Sequence, residues 1–237
     1  MANYLIEFRL RGFAKRYSQE LIKEVGRKFR VRGMKNKVSH VTLYGPFNTN
    51  NEQRMVSEVL NVCKNYNRIY FSIKGINYFN NPSNKVVYLD INPSEELKQF
   101  RMLLASKLRN ITFTVSKEDS KNKDDFKFHS TIAFKDINYK LDDILNHLQN
   151  KNHPNIRQTL LRVTILKNSK ILYEYDFLLK RLLNRYESLN KHIFRKTIDS
   201  LKQKPYPTSA VKMSVMPPQK ISLWGKIKAF FYENGNR

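Results

Sequence analysis

The stretch SHVTLYGPF, residues 39–47, carries a histidine and a threonine two positions apart inside a run that otherwise reads as a strand. The run FHSTIAFK, residues 128–135, repeats the spacing. In a β-strand, residues two apart project to the same face. His40 therefore pairs with Thr42 while Val41 and Leu43 face the other way, and His129 pairs with Thr131 while Ser130 and Ile132 are reversed. Five His and nine Thr in 237 residues would yield about 0.2 His-x-Thr triplets by chance. Two of them, each inside an apolar run, outweigh the ordinary reading of histidines satisfied within strands.

Working outward, YLIEFRL (residues 4–10) alternates as a strand, and residues 14–29 suit a helix. Gly45-Pro46 is a turn signal, and Asn50 or Asn51 suits the N-cap of a helix running to about Asn65. RIYFSIKGINYF and KVVYLDI, joined by the turn-like NNPSN at 80–84, predict a hairpin. Ser94 suits the cap of the next helix, with Glu95 and Glu96 near its positive end. ITFTVS reads as a strand, LDDILNHLQN as a helix, and TLLRVTILKN with KILYEYDFLLK as a hairpin turning at Asn168-Ser169. Each half thus gives a His-Thr strand, a helix and two β-rich runs, a pseudo-duplication of arrangement rather than of letters. An α+β architecture of two antiparallel or mixed lobes follows. The hairpins and the lack of a glycine-rich phosphate loop speak against a doubly wound parallel sheet.

Two imidazoles and two hydroxyls converging on one cleft suit attack on a phosphodiester. A neutral imidazole takes a proton from the attacking oxygen and a protonated one donates to the leaving oxygen, because histidine supplies both states near neutrality. The threonine hydroxyls would meet the non-bridging oxygens as charge develops. No metal is required, and His147, His153 and His192 lack metal-ligand spacing. Glu118-Asp119, Asp124-Asp125 and Asp142-Asp143 read as solvated loop or helix-start residues.

The frames HVTLYGPF and FHSTIAFKD resemble the paired motifs of the 2H phosphoesterase superfamily, which includes 2′-5′ RNA ligase-like proteins and cyclic phosphodiesterases. The resemblance spans roughly residues 1–180. It implies a bilobal, pseudo-twofold fold of antiparallel sheets with flanking helices, with His40, Thr42, His129 and Thr131 as the catalytic set. The implied substrates are nucleotide or RNA 2′,3′-cyclic phosphates or 2′-5′ linkages, cleaved without metal or other cofactor. Ligase-type members commonly carry an arginine after the alanine of the second motif; here Ala133 is followed by Phe134 and Lys135. Lys135 is a candidate substrate contact by charge, though a lysine lacks the arginine fork and would project to the other face of a regular strand. Tyr44 is a second candidate, for stacking or phosphate binding, if the following turn carries it to the cleft; packing is its ordinary role.

Composition agrees with an anionic partner. Forty-four Lys and Arg against 20 Asp and Glu give a formal charge of +24, which favours RNA or an anionic surface. Arg27, Lys28, Arg30, Arg32, Lys35 and Lys37 run directly into the first motif as an RNA-guiding or simply solvated loop. Cys63 reads as a buried helix residue, and one cysteine forms no internal disulfide, so a reducing, cytoplasmic setting is expected; the protein is also expected to be a monomer. No run approaches a membrane span. Residues 1–180 are expected to form the two-lobed domain, 181–204 a basic C-terminal helix, 205–220 a proline-broken linker and 221–237 a short amphipathic tail. In that tail Trp224, Phe230 and Phe231 beside Lys226 and Lys228 allow weak peripheral contact with an anionic membrane. Residues 180–237 carry 13 Lys and Arg against 3 Asp and Glu. The alternatives are RNA 2′-5′ ligation or 2′-5′ oligonucleotide or cyclic dinucleotide cleavage at the same site, and a non-catalytic basic RNA-binding module.

Overall fold

Alternating side chains set the two sheets of the protein, seen in a computed structural model that describes residues 2–81, 84–113, 116–122, 124–151 and 155–203. In β1 (Tyr4–Arg9), Ile6 and Phe8 are buried; in β2 (His40–Phe47), Val41 and Leu43 are buried while His40 and Thr42 are half-exposed. These strands join β7 (Arg162–Lys167), β8 (Lys170–Asp176) and β9 (Arg181–Asn184) in a five-stranded antiparallel sheet of order β2-β1-β7-β8-β9. β3 (Ile69–Asn81), β4 (Asn84–Pro93), β5 (His129–Phe134) and β6 (Asn155–Leu160) form a second antiparallel sheet of order β5-β4-β3-β6. One apolar core joins the inner faces of both sheets with the helices. It includes Phe8, Leu43, Phe71, Leu89, Phe100 and Ile132.

The helices begin where local chemistry favours them. α1 is Gly12–Lys28. Asn51 caps α2 (Glu52–Lys64) by accepting from the Arg54 backbone N–H, and Ser94 caps α3 (Glu95–Leu108) by accepting from that of Leu97. α4 is Leu141–Gln149. The two hairpins stand where the sequence puts them, the second turning at Asn168 and Ser169, both at positive φ. The halves are interleaved, however. The β3–β4 hairpin of the first half carries the histidine strand of the second, β5, while β2 lies in the sheet of β7 and β8. The chain passes between sheets within a single residue, since β6 ends at Leu160 and β7 begins at Arg162.

Three local expectations are corrected. The expected strand at 111–116 is absent among its described residues: a 3-10 turn over Arg109–Ile111 is followed by an isolated bridge between Phe113 and Asn48. Residues 181–203 are not one helix: β9 extends the sheet, and a capping box at Asn184 and Glu187 starts α5 (Arg185–Leu189). Asn190 then accepts from the backbone N–H groups of His192 and Ile193 at the start of α6 (Lys191–Gln203). Gly45-Pro46 does not end β2, which runs on to Phe47. Gly45 has φ +105°, and a Cβ there would meet the Phe47 ring at 2.9 Å and the Tyr4 carbonyl at 3.2 Å, so this position requires glycine. The linker and tail, residues 205–237, and His153 lie outside the described residues.

Asp119 is 2% exposed rather than solvated. Its carboxylate accepts from the Gly45 N–H at 3.0 Å and pairs at 3.3 Å with Arg101, itself 1% exposed. Arg101 also donates to the Glu118 and Lys121 carbonyls and lies 3.9 Å over the Phe126 ring. Burial pushes the Asp119 carboxyl up to about 6, opposed by the Gly45 N–H and Arg101. The pair ties β2 to α3 and to the loop before β5. Asp119→Ala, which strands a buried guanidinium, should cost about 3–5 kcal/mol in urea unfolding; a loss below about 1 kcal/mol would show that the pair holds nothing together.

Candidate active site

Both His-Thr strands are edge strands, and β2 of one sheet lies alongside β5 of the other. Sheet edges expose unpaired backbone and seldom meet unprotected; here each edge abuts the other, bringing the two histidines into one place. His40 and His129 interact electrostatically, charge on His40 opposing protonation of His129. On each strand the histidine and threonine share the half-exposed face, and Val41, Leu43, Ser130 and Ile132 are buried behind them.

Two β-bulges keep this arrangement from continuing along the strands. In the β1–β2 ladder Glu7 faces Thr42 but Ile6 faces Tyr44, so Leu43 is the extra residue. In the β4–β5 ladder Tyr88 faces Thr131 but Val87 faces Ala133, so Ile132 is the extra residue. A bulge reverses side-chain parity beyond it. Tyr44 therefore turns into the core. It is 0% exposed, its hydroxyl shares a 2.8 Å hydrogen bond with Thr112, and its ring packs on Phe47. The expectation that Tyr44 reaches the cleft is corrected by this register change. Lys135 lies just beyond β5 rather than on it, exposed at φ 72°, with Nζ 5.3 Å from the centre of the Phe134 ring.

Each imidazole is held identically. His40 Nδ1 lies 2.8 Å from the Val38 carbonyl and His129 Nδ1 lies 2.9 Å from the Lys127 carbonyl, in both cases two residues back. A carbonyl only accepts, so each Nδ1 carries the proton and donates it. Each Nε2 is then an acceptor in the neutral ring and a donor in the cation, as proton transfer in either direction requires.

Their surroundings differ. His40 pairs across the ladder with Arg9, and its Nε2 lies 3.7 Å from Oε2 of Glu7, a residue only 2% exposed whose other oxygen accepts from Arg9 at 2.9 Å. His129 instead packs edge-on against Phe79 at 5.1 Å and against Tyr88 at 5.2 Å. Burial lowers the His129 pKa; the Lys127 carbonyl opposes that shift and charge on His40 adds to it. Glu7, Phe79 and Tyr88 were not evident from sequence. Their signal is their pairing with the motifs, which the letters do not disclose.

Matching the chain to family models identifies its relatives. Residues 14–171 match the model of the 2′-5′ RNA ligase superfamily. The chain belongs to that superfamily. No curated protein matches the chain. Among solved structures, Kluyveromyces marxianus Usb1 is 10% identical over 71% of this chain and 95% of its own, with a TM-score of 0.46. The same protein with uridine monophosphate is 11% identical over 72% and 96%, TM-score 0.47. A phosphoesterase is 14% identical over 77% and 93%, TM-score 0.40. The superfamily match takes in both His-Thr strands and ends before β9, α5 and α6.

The other histidines lie elsewhere: His147 joins Lys28, Glu24 and Lys151 in a clasp between α1 and α4, and His192 is exposed on α6. Among the described residues no three His, Cys, Asp or Glu side chains group as a metal site, and no helix is long and apolar enough to cross a membrane. Cys63 is buried, its thiol pKa pushed up by burial.

The aromatic packing makes a titration testable without any substrate. By NMR the His129 ring should titrate below 6.5, and Phe79→Ala, which admits water to it, should move its pKa upward toward that value. An unchanged His129 titration in the variant would mean that the aromatic wall does not set its charge.

Proposed function

We propose that this superfamily member is a metal-independent phosphodiesterase that opens a nucleotide or RNA 2′,3′-cyclic phosphate, with His40, Thr42, His129 and Thr131 as the catalytic set. The observation that carries the reading is the pair of histidines on facing edge strands, each with Nδ1 bonded to a backbone carbonyl and differing in what surrounds the ring.

His129, buried among aromatics and biased toward the neutral form, is the base: its Nε2 takes a proton from water as the water oxygen attacks phosphorus. His40, whose Nε2 faces the Glu7 carboxylate, is the acid: it gives its proton to the ribose oxygen as the bond from that oxygen to phosphorus breaks. One proton enters at His129 and one leaves at His40, so the product is a phosphomonoester beside a free hydroxyl, and exchange with solvent resets the site. Thr42 and Thr131 donate to the non-bridging oxygens, whose charge is greatest at the transition state. With a ribose 5′-hydroxyl in place of water as the nucleophile, the same groups join it to the phosphorus: His129 takes the hydroxyl proton, the ring P–O bond breaks, and His40 protonates the freed ribose oxygen.

The basic loop between α1 and β2 supports a nucleic-acid substrate. Asp136, just past β5, accepts from the Arg32 and Gly33 backbone N–H groups at 2.7 and 3.3 Å. Gly33 lies so close to the Phe134 carbonyl that a Cβ would stand 2.2 Å from it. The segment leading to His40 is thereby fastened to the end of the His129 strand. It borders a cavity of about 550 Å3 lined in part by Lys23, Arg32, Lys35 and Lys37.

Incubation with EDTA and a short RNA ending in a 2′,3′-cyclic phosphate tests the proposal. His40→Ala and His129→Ala should each lower turnover by about 10²–10⁴-fold with the fold intact, and the wild-type rate should be bell-shaped in pH, its acid limb below 6.5 because His129 must be neutral. Near-wild-type turnover in both variants would remove the mechanism. RNA binding without turnover at any pH from about 5 to 8 would favour the binding module, in which the same side chains only grip phosphate.

A further inference from the structure

A second basic surface adjoins the His40 side of the site. It is a groove of about 880 Å3 between the start of α1 and α6, crossing the face of the five-stranded sheet. Its cationic residues are Arg9 from β1, Arg11, Lys15 and Arg16 from the start of α1, and Lys191 and Arg195 from α6. The one carboxylate in its lining, Glu174, is already engaged, accepting from Thr164 at 2.8 Å and Arg162 at 3.2 Å, with Arg11 at 3.6 Å.

Folding alone accounts for part of this charge. The Phe194 ring lies between two guanidiniums, 4.9 Å from Arg11 and 5.1 Å from Arg162, which seats α6 on the sheet. Lys15 and Arg195 take no part in that anchor and are exposed on opposite walls. Crowding is costly here. Burial and then the neighbouring Arg11 and Arg9 lower the Lys15 pKa, and the first turn of α1 holds no acidic residue to offset them. A bound polyanion would relieve that repulsion.

We propose that this groove holds the phosphate backbone of single-stranded RNA running away from the nucleotide in the two-histidine site. Arg9 joins the two: it lines the groove and is the cross-strand neighbour of His40. The groove begins at β1, the neighbour of β2, and reaches β8, with steps of about 4.8 Å between neighbouring strands. Its volume lies within the roughly 300–1,000 Å3 of small-ligand pockets, room for a short piece of single strand. The only aromatic ring in its lining is Phe194, already between guanidiniums, so the groove reads charge and is indifferent to base. α6, one wall of the groove, lies beyond the stretch that matches the superfamily model.

The inference rests on the phosphodiester reading, and two assays on the full chain separate them. Fluorescence anisotropy with a labelled 12-nucleotide RNA ending in a plain 3′-hydroxyl, titrated with salt, reads the groove; turnover of a mononucleotide 2′,3′-cyclic phosphate reads the histidines. The double variant Lys15→Gln, Arg195→Gln should bind the RNA about tenfold more weakly at low salt, with the slope of log K against log salt reduced by about 1.4, roughly 0.7 for each lost phosphate contact. Its mononucleotide turnover should equal wild type, and Lys107→Gln, an exposed lysine outside the groove lining, should change neither. Wild-type RNA affinity and salt slope in the double variant would overturn the proposal while leaving the mechanism standing. Weakened RNA binding in a protein that turns over no cyclic phosphate would uphold the groove and sink the mechanism. Loss of binding to phosphatidylserine vesicles with RNA affinity unchanged would overturn it in favour of a membrane surface.

Discussion

Each histidine is held by a single hydrogen bond to the carbonyl two residues before it, and the chemistry of the site depends on that bond. Val38 and Lys127 supply these carbonyls from the segments entering β2 and β5. Because the acceptor is a carbonyl, the tautomer is fixed without a second side chain, and the ring keeps its orientation in both protonation states. The edge position of both strands matters equally. Two edges brought together set the half-exposed faces of β2 and β5, and the histidines on them, side by side.

Pseudo-symmetry then breaks where chemistry needs it to break. Glu7 stands opposite Thr42 and Tyr88 stands opposite Thr131, so corresponding places in the two ladders hold a carboxylate and a phenol ring. One imidazole faces a buried negative charge and the other an aromatic wall. Two like imidazoles close together cannot both be charged cheaply. The surroundings decide which one yields, and burial among Phe79 and Tyr88 points to His129. Two like strands thus give their imidazoles different surroundings through the residue next door rather than through the motif itself.

Period-2 patterning made the fold class and the two His-Thr faces legible, because alternation sets both strand identity and which side chains share a face. The caps at Asn51 and Ser94 were legible for the same local reason. What stayed hidden was pairing. Nothing in the letters says that the β3–β4 hairpin completes the sheet of β5 rather than that of β2. Nor does a strand announce its bulge: Leu43 and Ile132 look like ordinary apolar positions, yet each reverses parity and sends the next residue inward. That is why Tyr44, two residues past Thr42, is core. Asp119 reads as loop in a run of charges, and only its distant partners Arg101 and Gly45 make it a buried anchor.

The charge of the chain acquires a direction once the fold is known. Exposed basic loop residues are fastened to the His129 strand through Asp136, and a basic groove opens beside the His40 strand through Arg9. Beyond a Debye length, about 8 Å at physiological ionic strength, scattered surface charges are largely screened. What remains effective is local clustering, where cations share partly desolvated walls, as Arg11 and Lys15 do. A net charge of +24 spread evenly would favour loose association anywhere on the surface. Part of it is instead clustered, in the loop fastened to the His129 strand and in the groove that Arg9 joins to the His40 strand.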